Sequence, residues 1–98
     1  MILATFQLRK NRITSYQITG HANSAVKGHD LVCAAVSALS QAITNELSKA
    51  TVNENGGLFI GLIEPSADNN VLCETLLHGL QDISAQYPQN LQVVVKGN

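Results

Sequence analysis

At Asp30 the hydrophobic pattern of the chain changes period, from two to about 3.6, across a short run of small residues. Before the change, ILATFQLR (2–9) alternates, with Ile2, Ala4, Phe6 and Leu8 on one face. Lys10-Asn11-Arg12 is a polar turn, and ITSYQIT (13–19) is rich in β-branched and aromatic residues, so the two runs read as an antiparallel hairpin. Gly20 ends the second strand and permits a sharp turn. After the change, Val32, Val36, Leu39, Ile43 and Leu47 make one apolar stripe, which predicts a helix over 30–49. Ala34, Ala35, Ala38 and Ala42 keep that helix slim enough to lie close on a sheet. Asp30 is the expected N-cap, with Gly28 just outside it, so Cys33 would be the third helical residue.

The second half repeats the logic. Residues 51–55 are a short strand at best, and Asn55-Gly56-Gly57 is a turn signal. LFIGLIE (58–64) predicts a largely buried strand that stops at Pro65. Ser66 or Asp68 would cap a helix over 68–87, whose buried stripe is Leu72, Leu76, Leu80 (or Gly79) and Ile83. Pro88 ends it, because the residue before a proline is pushed out of the α region. LQVVVK (91–96) is the last strand. The order is β-β-α-β-β-α-β. The expected fold is α+β, a two-layer sandwich with two helices on one face of a mostly antiparallel sheet. Residues 1–98 are read as one domain.

Composition excludes several classes. Hydrophobic residues are 45% of the chain and charged residues 13%, too apolar for disorder. Six Lys and Arg stand against seven Asp and Glu without a basic stripe, so no nucleic-acid partner is expected. Cys33 and Cys73 do not make a disulfide framework. MILATFQLRK lacks the basic start of a signal peptide, and no apolar run reaches the ~20 residues of a membrane span. A cytoplasmic protein with reduced thiols, away from membranes, is expected. A chain this short buries only about 60–65% of its unfolded surface and often gains from a partner subunit.

The polar chemistry is concentrated between Gly20 and Ser37. Cys33 near a helix start meets free N–H groups and the positive end of the dipole, the setting of a nucleophilic thiol. The alternative is a small structural cysteine in the helix wall. His21 closes a strand twelve residues earlier and can fold back as a base, or it is an exposed strand-end histidine. Asp30 caps the helix or orients His21 as the third group of a triad does. Ser37, one turn after Cys33, bonds into the site or back to the helix carbonyl. His29 beside the cap reads as solvated, His78 as a surface residue, and Cys73 as core. His21, His29, Asp30 and Cys33 lack paired metal-ligand spacing, so no metal is expected. No phosphate-binding glycine motif and no cofactor signature is present.

Read together, GHA…G-x-D-hydrophobic-V-C-A-A-V-S resembles the signature of the ribosomal-processing cysteine protease family Prp of Firmicutes and related bacteria. The resemblance runs over the whole chain in length, element order and signature position. It implies His21 as catalytic base and Cys33 as nucleophile, with Asp30 and Ser37 at the other recurrent polar positions. Gly20 and Gly28 match the ends of a mobile loop, expected to be poorly ordered without substrate. Within it, Ser24 and Val26 depart from the family's usual aromatic and acidic residues.

The resemblance further implies a homodimer that removes a short N-terminal extension from a large-subunit ribosomal protein precursor. The expected function is therefore that of a cysteine endopeptidase. A non-catalytic ribosome-assembly binding module is the competing class, and a metal-binding protein and a thiol hydrolase on small molecules stand behind it.

Overall fold

The structure, a computed structural model, describes residues 1–20 and 28–97. Seven elements follow the expected order: β1 (Ile2–Arg9), β2 (Arg12–Thr19), α1 (His29–Glu46), β3 (Thr51–Asn53), β4 (Leu58–Gly61), α2 (Ala67–Gln86) and β5 (Leu91–Gly97). The strands form one sheet in the order β3-β4-β2-β1-β5. Only the β1–β5 pairing is parallel; β1–β2, β2–β4 and β3–β4 are antiparallel. The two helices pack against this mixed sheet, so the two-layer α+β expectation holds.

Alternation in the strands explains which face the helices cover. Ile2, Ala4 and Phe6 of β1 are buried, and across the ladder Ala4 faces Ile18 and Phe6 faces Tyr16. The same rows continue to Leu91 and Val93 of β5 and Ile60 of β4. The opposite face carries Thr5, Gln7, Ser15 and Gln17, none of them buried. One irregularity sits in β2, where Ile13 and Tyr16 are both buried although three residues apart. The register shifts between Gln7 and Leu8, so Ser15 opposes Gln7 while Ile13 opposes Leu8. Thr14 is the extra residue of a bulge, which resets the phase of the strand. Its hydroxyl donates to the Gln7 carbonyl and its own carbonyl accepts from the Ile63 N–H at 3.2 Å. The bulge thereby ties the far end of the hairpin to the linker after β4.

Above this face, Val32, Val36 and Ile43 of α1 meet Cys73, Leu76, Leu77 and Leu80 of α2 in one core. The helices come close at Gly79, where a Cβ would stand 2.6 Å from Leu39 Cδ2. The Tyr16 ring stacks on Phe6 at 5.4 Å, and its hydroxyl pairs with Thr44 Oγ1 at 2.7 Å, joining sheet to helix. Burial pushes the Tyr16 hydroxyl up to about 12 from an ordinary 10.0, with the Thr44 hydrogen bond pulling partly the other way. Burial also pushes the Cys73 thiol up to about 11 from 9.0. Both groups are neutral in the fold and ionise more readily in the unfolded chain. Their contribution is complete below about pH 9 and is lost as pH rises towards 12. The urea midpoint is expected to fall between pH 8.5 and pH 11.5, roughly the span of these shifts. A midpoint unchanged across that range contradicts the assignment.

Three local expectations are corrected. Helix α1 starts at His29 with Gly28 as its N-cap, in left-handed geometry (φ 94°, ψ 0°), so Asp30 is not the cap. Asp30 falls instead in the first turn, where a carboxylate is favoured by the dipole. The helix also ends earlier, at Glu46, with Leu47 already extended. The strand predicted over 58–64 stops at Gly61, because Leu62 takes a left-handed φ of 50° and swings out to solvent while Ile63 turns into the core. In α2, Ser66 is the cap, its hydroxyl accepting from the Asn69 N–H at 3.1 Å.

Candidate active site

The local sequence places Cys33 through the start of α1. Gly28 can enter the helix from a left-handed conformation because it has no Cβ. A Cβ there would also stand 2.7 Å from two carbons of the Tyr87 ring, at the end of α2. The first turn of α1 is thus seated on α2 at a point that admits no side chain. Gly28→Ala is expected to destabilise the protein by roughly 2 kcal/mol, from the left-handed penalty and overpacking together. Denaturant unfolding checks this; an unchanged midpoint removes the seating argument.

Counting from His29, Cys33 is the fifth helical residue rather than the third. Its own N–H therefore lies within the i→i−4 ladder, and the N–H of Val32 is already bonded to the Gly28 carbonyl at 2.9 Å. The amides left free by helix geometry are those of His29, Asp30 and Leu31.

Cys33 is half-buried and lines an open cleft of about 410 Å³. One wall is α1, with Cys33, Val36, Ser37, Ser40 and Gln41. The floor is Ile2 and Ile18, and Glu54, Gly57 and Leu58 of the β3–β4 hairpin close the far side. The lining mixes apolar Ile2, Ile18, Val36 and Leu58 with polar Ser37, Ser40, Gln41 and Glu54. Ser37 is exposed and shares the wall with Cys33. A back-bond of the kind that is one of two readings for Ser37 is made by Ser40, whose hydroxyl donates to the Val36 carbonyl.

Gly20 also lines this cleft, with φ +84°, and a Cβ on it would stand 2.5 Å from the Met1 carbonyl oxygen. His21 is the next residue in the chain. His21 and the loop 22–27, with Ser24 and Val26, lie outside the described residues. So do the expected Asp30–His21 contact and the expected mobility of that loop. The histidine found beside the thiol is His29, read above as solvated. It is half-buried, with Nδ1 3.9 Å from Cys33 Sγ and Nε2 3.4 Å from an Asp30 carboxylate oxygen. The i, i+4 spacing of 29 and 33 was the available signal. Cys73 is fully buried among leucines, as expected, and His78 is exposed. Among the described residues no three His, Cys, Asp or Glu side chains come together as a metal site. Nor is any described helix long and apolar enough to cross a membrane.

The family model for the cysteine protease Prp matches residues 1–92. The chain belongs to the Prp cysteine protease family. Among its relatives, the ribosomal processing cysteine protease Prp of Bacillus subtilis strain 168 is 33% identical over 107 aligned positions, covering 95% of this chain and 96% of that protein. The protein of the same description from Staphylococcus aureus Mu50 is 29% identical over 96 positions, covering 89% and 91%. The fold is similar to that of the essential ribosomal processing protease Prp of S. aureus, solved with a covalently linked product peptide. That likeness has a TM-score of 0.83 at 27% identity, over 98% of this chain and all of that one. Family membership makes this chain a cysteine-type peptidase, a hydrolase.

Proposed function

We propose that the protein removes the N-terminal extension of a large-subunit ribosomal protein precursor, with Cys33 as nucleophile and His21 as general base. The observation that carries the proposal is a half-buried thiol on the wall of a peptide-sized cleft whose rim includes Gly20, the residue before His21. A solved relative holds a covalently linked product peptide, in keeping with thiol chemistry on a peptide.

Cys33 Sγ attacks the scissile carbonyl carbon after its proton passes to His21. The tetrahedral oxyanion would lie towards the free amides at the start of α1. Collapse breaks the C–N bond, and the His21 imidazolium protonates the leaving amine. Water then attacks the thioester, giving up a proton to His21, and the carboxylic acid and the free thiol are released. The Ser37 hydroxyl, one turn from Cys33 on the same wall, is available to the peptide backbone. No step requires a cofactor, a metal or a nucleic acid.

The chain acts in the cytoplasm as a single protease domain and as a homodimer, in line with the family resemblance and its small size. Sedimentation should then give twice the 10.5 kDa chain mass; a monomer at working concentration removes the dimer. The decisive experiment mixes the protein with a peptide spanning the extension and reads the fragments by mass. A single cut by the wild type that vanishes with His21→Ala supports the proposal. An intact peptide after prolonged incubation rejects it.

A further inference from the structure

We infer that His29 is a positioning residue for Cys33, an inference that rests on the reading of Cys33 as the nucleophile. Three side chains on the first turns of α1 form a short chain: Asp30 carboxylate, His29 ring, Cys33 thiol. The carboxylate lies at one ring nitrogen, Nε2, at 3.4 Å, and the sulfur at the other, Nδ1, at 3.9 Å. A neutral imidazole satisfies both contacts in only one tautomer. That tautomer carries its proton on Nε2, facing the Asp30 carboxylate, and leaves Nδ1 open to the thiol S–H.

The chemistry follows from that order. Asp30 is exposed and acts on the thiol only through the ring. It fixes which nitrogen of His29 is free to accept, the function a carboxylate has behind an imidazole in a triad. His29 in turn is half-buried, so its ring is confined beside the helix. An unbranched thiol on a helix has two accessible rotamers. A hydrogen bond back to the i−4 side chain favours one of them, at the wall of the cleft that Cys33 lines. The sulfur is then held near its attacking position before a peptide arrives, and less of its freedom is lost on reaction. His29 and Asp30 thereby hold the resting rotamer, and the S–H turns from His29 to His21 when the substrate arrives, so the proton transfers of the reaction stay with His21.

The test uses the full chain and two readouts: alkylation of Cys33 by iodoacetamide, located by mass, and kcat and KM on the extension peptide. His29→Ala should slow Cys33 alkylation and lower kcat by roughly 10-fold each, with KM within about twofold. His29→Asn, whose amide oxygen can accept from the thiol, should recover most of both losses. Asp30→Ala should give an intermediate loss. Unchanged alkylation and kcat in a folded His29→Ala protein overturn the inference, as does His29→Asn failing to recover while folded. If His29→Ala does not fold, His29→Asn against His29→Leu decides in the same way. Should the wild type leave the peptide intact, the protease proposal falls, while the alkylation comparison still reads the His29–Cys33 contact by itself.

Discussion

Cys33→Ala is expected to lower precursor-peptide cleavage by at least about 1,000-fold while leaving the protein folded. The loss is large because no other described group on the cleft wall can take the place of the sulfur. Ser37 is one turn away, but a hydroxyl without an activating partner is a weak nucleophile at neutral pH. The fold survives because Cys33 is only half-buried at the edge of the core, and removing one such atom costs on the order of 1 kcal/mol. The variant should still bind the peptide, which a competition assay against wild-type cleavage can read. Cys73→Ala is the matched control. It opens a hole in the core and lowers the unfolding midpoint, but should leave kcat within about twofold below that midpoint. Cleavage retained in Cys33→Ala would assign the chemistry to another residue.

The second large effect is structural. Asn69→Ala is expected to destabilise the protein by about 3 kcal/mol, read as a shift in the urea midpoint. Asn69 is buried at the start of α2. Its Nδ2 donates to the carbonyls of Ser48 at 2.7 Å and Glu64 at 3.0 Å, and its Oδ1 accepts from the Ser48 N–H at 3.1 Å. One amide thus closes the turn after α1 onto the linker before α2. Alanine strips three backbone groups of their partner at once, and each unsatisfied group costs about 1–3 kcal/mol where water does not reach it. Asn69→Asp tests the donor half, since a carboxylate can accept from Ser48 but cannot donate to two carbonyls. It should be at least as destabilised near neutral pH. A change below about 0.5 kcal/mol in both variants would mean that water satisfies these groups and that the lock is not needed.

Much of this fold was legible because its periods are strong. The alternation of Ile2, Ala4 and Phe6 and the stripe of Val32, Val36 and Ile43 each lie on the buried side. The signature residues around Cys33 likewise point to the family. What was missed depends on distant atoms. Local preference points to Asp30 as the cap of α1, whereas Gly28 holds that place, and nothing near residue 28 signals that the Tyr87 ring packs on it. LFIGLI is an unbroken apolar run that reads as one strand, and only the outward turn at Leu62 divides it. Asn69 carries no signal of its role in the sequence, since its partners come from two other segments.

The order of strands and helices and the faces that become core follow from residue pattern alone, because burial and backbone preference act over neighbours a few positions apart. The parallel β1–β5 pairing, the cleft between α1 and the β3–β4 hairpin and the His29–Cys33 contact were decided by assembly. Each needs the spacing between packed surfaces to be set to within an ångström or so, and side-chain volumes from the whole chain set that spacing together.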